Sequence, residues 1–346
     1  MSDNWKKFLT QQGAVYDDDG VRHFGNPAAE LRAAQDGNVL VDLSHLALVR
    51  VSGPDAKAFL DAQLTNDLDS VDSNRSRIAA WCSAKGRVLV VVRVLRQADS
   101  YLLQFPAPLR DDVIKRMRMY VLRSKVKLEN VSDDFVRMGI AGPDAASLIG
   151  DITGIALEDK DAYLTTATFT VMRLPGIVPR FEFLASPMEA RAIWEGLRQR
   201  AVPAGSGVWT WHDVMAGIPT VFPQTSDAFV PQTINLDLID GISFNKGCYP
   251  GQEIVARVHY RGRLKERMFR ARVDAAEMPH PGEPIYAPDL PGQATGNVVT
   301  AGPSLGGGFD LLAVIHLSSA RTGALHLKQP DGPPLKIQSL PYQIPA

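Results

Sequence analysis

Lys246-Gly247-Cys248-Tyr249-Pro250-Gly251-Gln252-Glu253 puts one of the chain's two cysteines between glycines, just ahead of a run that suits a helix. Pro250-Gly251 is turn chemistry, and the following residues predict a short helix over 252–260 that Gly262 stops. Cys248 then stands beside a helix N-terminus, where unpaired N–H groups and the ammonium of Lys246 favour a thiolate over a thiol. A plainer reading stays open, in which the glycines serve a tight turn and the cysteine is a small buried hydrophobe.

Upstream, Val51-Ser52-Gly53-Pro54-Asp55-Ala56-Lys57-Ala58-Phe59-Leu60 recurs in weakened form as Ile140-Ala141-Gly142-Pro143-Asp144-Ala145-Ala146-Ser147-Leu148-Ile149. In each copy a strand ends in Gly-Pro, and a helix is expected with Pro at its first position and an acid in its first turn. The first copy continues with strands over 78–82, 88–95 and 101–105 and a helix over 111–122. The second continues with strands over 167–173 and 181–185 and a helix over 188–200. Residues 206–217 read as a further helix, opened by Ser206, closed by Gly217 and carrying Trp209 and Trp211. The connection 220–240, rich in Pro, Gln, Asn and Asp, reads as functional or mobile. Short strands then follow over 268–273, 284–287, 294–299, 311–317 and 335–337. The fold class is α+β, with two tandem similar α+β modules (1–135 and 136–262) and a small C-terminal antiparallel β-barrel (263–346). A groove between such halves is a natural ligand site.

At 346 residues and 45% hydrophobic content the chain can bury a substantial core. A formal net charge of -1 gives no global pull toward nucleic acid or anionic membrane, so such a partner must be met by a local patch. Cys82 and Cys248 lie too far apart in sequence to form a disulfide framework, and no zinc-ligand spacing is present, so the composition reads as reduced and intracellular. With no apolar signal core at Met1-Ser2-Asp3-Asn4-Trp5 and no long apolar run, a soluble cytoplasmic protein with no membrane partner is expected.

The cysteine stretch and its flanks, Ile242-Ser243-Phe244-Asn245 and Ile254-Val255-Ala256-Arg257, closely resemble the fingerprint of the YgfZ family, folate-binding proteins related to the T-protein of the glycine cleavage system. The likeness continues through Phe229-Val230-Pro231-Gln232, Asn235-Leu236 and Tyr260-Arg261-Gly262. Weaker echoes occur at Leu64-Thr65-Asn66-Asp67, Cys82-Ser83-Ala84-Lys85-Gly86-Arg87 and Ser124-Lys125-Val126. The resemblance implies a two-part folate domain followed by a barrel, with tetrahydrofolate or a derivative as cofactor. It also implies an accessory role in synthesis or repair of iron-sulfur enzymes, including tRNA-modifying ones, which would be its protein clients. Two other readings stay open: a tetrahydrofolate-dependent aminomethyltransferase or demethylase of the T-protein class, and a tRNA or protein docking module regulated by folate.

Cys248 is the candidate reactive thiol, and Trp209, Lys246, Tyr249, Gln252, Glu253 and Arg257 are the candidate folate-binding residues. The resemblance aligns Trp209 with a tryptophan implicated in folate contact, while a partner tryptophan expected in the first half falls at Leu46. Where the T-protein pattern has a glutamate, this chain has Met215, which cannot accept from pterin amines as a carboxylate does. The general-base aspartate of that pattern could only be Asp111 or Asp112, each equally a first-turn helix acid. These departures argue against aminomethyl transfer more than against folate binding. From Arg257 to Arg272 there are seven Lys or Arg residues and one acid, Glu266. These cations could hold folate carboxylates, meet phosphates or form a solvated face. With no aromatic platform legible beside them, the sequence argues against direct tRNA contact. Cys82 reads as structural. Gly302-Pro303-Ser304-Leu305-Gly306 fits G-x-S-x-G formally, but it reads as a hairpin loop because no helix follows.

Overall fold

In the computed structural model, which describes residues 1–18 and 20–345, the sequence repeat is a structural one. Strand Leu46–Ser52 leads into helix Ala56–Asp61, and strand Val136–Ala141 into helix Ala145–Thr153. Gly53 and Gly142 take the intervening turns at φ of +113° and +145°. A Cβ on Gly53 would lie 2.1 Å from the Lys125 carbonyl oxygen, and one on Gly142 2.3 Å from that of Gly37, so both turns require glycine. The prolines differ from expectation. Ala56 N–H donates to the Gly53 carbonyl and Ala145 N–H to that of Gly142, closing β-turns that hold Pro54 and Pro143 ahead of the helices.

The six-stranded sheet runs in the order Tyr163–Thr165, Phe169–Leu174, Arg180–Ala185, Val136–Ala141, Val39–Asp42, Val202–Ala204. The five-stranded sheet runs Arg77–Cys82, Val88–Gln97, Ser100–Pro106, Leu46–Ser52, Lys127–Asn130. The first four strands of the two orders correspond one to one. The fifth is exchanged: Val39–Asp42, which precedes the first copy, pairs with Val136–Ala141 of the second, and Lys127–Asn130, which precedes the second, pairs with Leu46–Ser52 of the first. The expected tandem α+β modules are present and interlocked through these strands.

By its internal contacts the chain divides into two units. The first holds Met1–Ala56, Asp69–Arg77 and Arg93–Trp209. On one face of its six-stranded sheet, Leu40, Met138, Ile140, Val171, Phe181 and Phe183 form a core with Trp5, Phe8 and Leu9 of helix Asp3–Gln11 and with Ile193, Trp194 and Leu197 of helix Pro187–Leu197. Strand alternation puts Arg137, Gly139, Arg180 and Glu182 on the opposite face, and both arginines and the glutamate are about 1% exposed.

The second unit holds Lys57–Leu68, Ile78–Val92 and Thr210–Ala346. Its barrel closes in the order Glu266–Val273, Phe309–His316, Ala294–Pro303, Pro284–Tyr286, Leu325–Leu327, Pro334–Gln338. Strand Leu325–Leu327 and helix Leu317–Thr322 were not expected from the sequence; each is too short to show a period. The connection 220–240 is folded into packed turns. Its turns bury Phe229, Gln232, Ile234, Asn235 and Leu236, with Gln232 Nε2 donating to the Val255 carbonyl at 2.7 Å and Asn235 Nδ2 to that of Met268 at 2.8 Å. Polar residues in it satisfy backbone groups, which is why it looked like a loop in composition.

Candidate functional site

Lys246 anchors the cysteine loop. Its side chain is 1% exposed, and its ammonium donates to the carbonyls of Asp61 (2.6 Å), Leu64 (2.9 Å) and Asn66 (2.7 Å) and to Asp61 Oδ1 (3.0 Å). A buried ammonium needs such acceptors, and the turn just past helix Ala56–Asp61 supplies them. Burial draws the Lys246 pKa below the ordinary lysine value, opposed by the bond to Asp61. Its charge is thus balanced by the 61–66 segment, a use the sequence reading did not foresee. Tyr249 is buried in an apolar cluster with Cys82, Val88, Phe229 and Val255, and burial raises its pKa. Cys248 between these two anchors is exposed. Helix Gln252–Arg261 begins at an N-cap Gly251 with φ of +77°, as the turn reading required, and presents Glu253 and Arg257 to solvent.

Three stretches that were far apart in sequence meet here. The Thr65 carbonyl accepts from Ser243 N–H at 2.9 Å, and Thr65 Oγ1 donates to the Gly241 carbonyl at 2.7 Å. Asn66 Nδ2 donates to the carbonyls of Ile78 (2.8 Å) and Asp240 (2.6 Å). The turn at Ser83–Arg87 reaches the same loop through Gly86, where a Cβ would lie 3.0 Å from the Gly251 carbonyl oxygen. Cys82, in the strand before that turn, is 1% exposed, and burial with the nearby Asp227 charge pushes its pKa up to about 12. It is structural, as expected.

Trp209 belongs to the first unit, whereas the other candidate residues belong to the second. Trp209 is 2% exposed, with its six-membered ring over Gly139 and the Arg180 guanidinium 4.5 Å from its ring centroid. Glu182, two residues from Arg180 on the same strand face, accepts from Gln104 Nε2. Arg137 Nη1 donates to the Ser132 carbonyl at 2.8 Å, while its buried Nε and the Nδ1 of His45 have no hydrogen-bond partner among the described residues. Burial, reinforced by the Arg137 charge, lowers the His45 pKa to about 4, so this imidazole is neutral at pH 7. None of Arg137, Arg180, Glu182 and Gln104 was singled out in the sequence. A charged residue in a strand reads as solvent-facing unless both faces of the sheet are covered.

Asp111 and Asp112 are first-turn acids of helix Arg110–Val121, paired with Arg110 at 2.9 Å and Arg116 at 2.9 Å. Met215 lies against Arg270, whose Nη1 is 2.7 Å from its Sδ. Ser304 accepts from Arg272 Nη1 at 2.7 Å in a hairpin loop. Among the described residues no group of three or more His, Cys, Asp or Glu could hold a metal ion, and no helix is long and apolar enough to cross a membrane.

The protein-family description "GCVT N-terminal domain" matches residues 9–207. Over 308 residues the chain is 32% identical to the tRNA-modifying protein YgfZ of Sodalis glossinidius, covering 88% of this chain and 93% of that one. It is 31% identical over 321 residues to the protein of the same name from Edwardsiella ictaluri, covering 92% and 96%. In fold it is similar to the glycine cleavage system aminomethyltransferase T of Bartonella henselae, with a TM-score of 0.76 at 15% identity, over 97% of this chain and 96% of that one.

Proposed function

Because the chain belongs to the YgfZ family and carries the GCVT N-terminal domain, we propose that it is a folate-binding accessory protein that supports synthesis or repair of iron-sulfur enzymes, including tRNA-modifying ones. The observation that carries this reading is that the stretches 64–67 and 82–87 meet the loop 242–253 that carries Cys248. They hold an exposed thiol on a loop anchored on one side by the hydrogen-bonded Lys246 and on the other by the buried Tyr249. A stability role would bury the sulfur, as at Cys82. Exposure on a rigid mount suits a thiol that meets a partner molecule.

A reduced folate is the cofactor of this reading, with its pterin at the polar sheet face of the first unit. What supports that placement is the set of groups there: the Trp209 indole, the Glu182 carboxylate as acceptor, and Arg137 Nε and His45 Nδ1 with bonds still to make. Trp209 would border the ring, Glu182 would accept from pterin N–H groups and Arg137 would donate to its carbonyl oxygen. When bound, the reduced folate supplies one-carbon or redox chemistry. Methionine at 215 and the ion-paired, exposed Asp111 and Asp112 leave the pterin-accepting glutamate and the general-base aspartate of the T-protein pattern without counterparts, which favours this accessory role over aminomethyl transfer.

Tetrahydrofolate titration and complementation test the reading together. Tetrahydrofolate is expected to bind one site per chain and quench tryptophan fluorescence, with Trp209→Ala weaker by ~1–3 kcal/mol. Cells lacking the protein are expected to show under-thiolated tRNA, which Cys248→Ala fails to restore. No folate binding, or full restoration by Cys248→Ala, overturns the corresponding half.

A further inference from the structure

We infer that helix Gln252–Arg261 and the residues beside it form a docking surface for single-stranded RNA. Only Val255 of this helix is buried, and Tyr260 is 67% exposed. Phe244, which precedes the cysteine, stacks on His259 with ring centroids 3.7 Å apart and planes at 17°, and Tyr260 stands edge-on to both. Phe244, partly buried against the apolar cluster of the second unit, thus joins the exposed His259 and Tyr260 of the helix in one aromatic group. This is the platform whose absence from the sequence argued against RNA.

The seven cations of 257–272 separate into two groups. Arg267 pairs with Asp237 at 2.6 Å, Arg270 donates to the Ser339 carbonyl, and Arg272 donates to Ser304 Oγ and the Leu305 and Gly307 carbonyls. Those three are committed to bonds within the second unit. The side chains of Arg257, Arg261, Arg263 and Lys265 are exposed and make no hydrogen bond or ion pair among the described residues. No acid occurs from Ile254 to Lys265, so four uncommitted cations adjoin the aromatic cluster in a chain whose net charge is only -1.

Charge complementarity selects the occupant. The cores of protein–protein interfaces are depleted of charge, whereas single-stranded RNA offers flat bases for aromatic faces and phosphates for guanidinium groups. Arg257 and Arg261, one helical turn apart, suit successive phosphates. A duplex keeps its bases stacked inside and leaves Phe244, His259 and Tyr260 without partners. The inference does not rest on folate binding.

Fluorescence anisotropy with a short labelled single-stranded RNA tests it on the full chain. Affinity is expected to fall with salt at a log–log slope of about -2 to -3, for three or four phosphates. Arg263→Gln with Lys265→Gln is expected to make that slope shallower by about 1.4. Tyr260→Ala is expected to weaken binding roughly 5- to 100-fold with the slope unchanged. Arg257 stays untouched, since a folate tail could compete for it, and Lys336→Gln, at an exposed cation elsewhere, is expected to change nothing. Melting curves and tetrahydrofolate titration of Tyr260→Ala show that the variant is folded and keep this result separate from the folate reading. No binding at low salt, or duplex RNA binding as tightly as single strands with no effect of Tyr260→Ala, overturns the inference. Loss of a protein client from these variants without RNA binding reassigns the face to protein and also overturns it.

Discussion

Gly86 and Gly251 pack backbone to backbone: a Cβ on Gly251 would lie 2.4 Å from the Gly86 Cα and 2.5 Å from the Ser83 carbonyl oxygen. Both have positive φ, +67° and +77°. Gly251 therefore needs glycine twice over, for its conformation and for the approach of Gly86, and a Cβ on Gly86 would meet the Ile254 Cβ at 2.8 Å. Gly251→Ala is expected to destabilise by roughly 2–4 kcal/mol, combining left-handed strain with a clash against backbone that cannot yield. Thermal melting measures the cost, and limited proteolysis near 247–251 shows whether the loop detaches. A Gly251→Ala protein with wild-type stability would mean that the turn at Ser83–Arg87 does not support the cysteine loop.

Lys246→Met keeps most of the side-chain volume and removes the ammonium, leaving the carbonyls of Leu64 and Asn66 without that donor and Asp61 Oδ1 with the Leu68 N–H but no countercharge. Breaking a buried pair from one side costs about 3–5 kcal/mol; because Asp61 is about a third exposed, a loss of roughly 2–4 kcal/mol is expected from denaturant titration. Lysine's lowered pKa also sets a sign. The unfolded chain holds this proton to higher pH than the folded one, so this group makes stability rise with pH from its folded pKa up to the ordinary lysine value of ~10.4. That rise is expected to vanish in Lys246→Met.

The two cysteines differ in accessibility. Cys82, with its pKa pushed up to about 12 by burial and by Asp227, has almost no thiolate at neutral pH. Cys248 is exposed. Alkylation followed by mass spectrometry from pH 7 to 9 is expected to label Cys248 and leave Cys82 unmodified until denaturant is added. Equal labelling of both in the folded protein would remove the distinction between a presented and a structural thiol.

Much of the second unit was legible because its signals are local. Pro250-Gly251 and Gly262 bound the short helix correctly, and the alternation of short strands with Pro and Gly turns gave the barrel. Lys246 was legible as important but not in its use, since its partners lie some 180 residues away in sequence. The polar face of the first unit was illegible for a related reason. Arg137, Arg180 and Glu182 alternate with apolar residues as in any half-exposed strand, and only the assembled sheet shows that their side is buried too.

Gly139 offers a way to question Trp209 without deleting it. A Cβ at Gly139 would lie 2.3–2.8 Å from three carbons of the Trp209 six-membered ring, and Gly139 is not among the glycines with positive φ. The obstacle to alanine is therefore the indole, and Gly139→Ala must push it aside or strain the strand, at a cost of about 1–3 kcal/mol. Trp209→Ala instead leaves a large cavity and takes the ring from the Arg180 guanidinium, so lost binding there mixes contact with collapse. If the indole borders the pterin, Gly139→Ala is expected to shift tryptophan fluorescence and weaken tetrahydrofolate binding about tenfold or more, while Cys248 keeps its alkylation rate as a sign that the second unit is intact. Shifted fluorescence with unchanged folate affinity would take Trp209 out of the site and leave its ring as packing over Gly139.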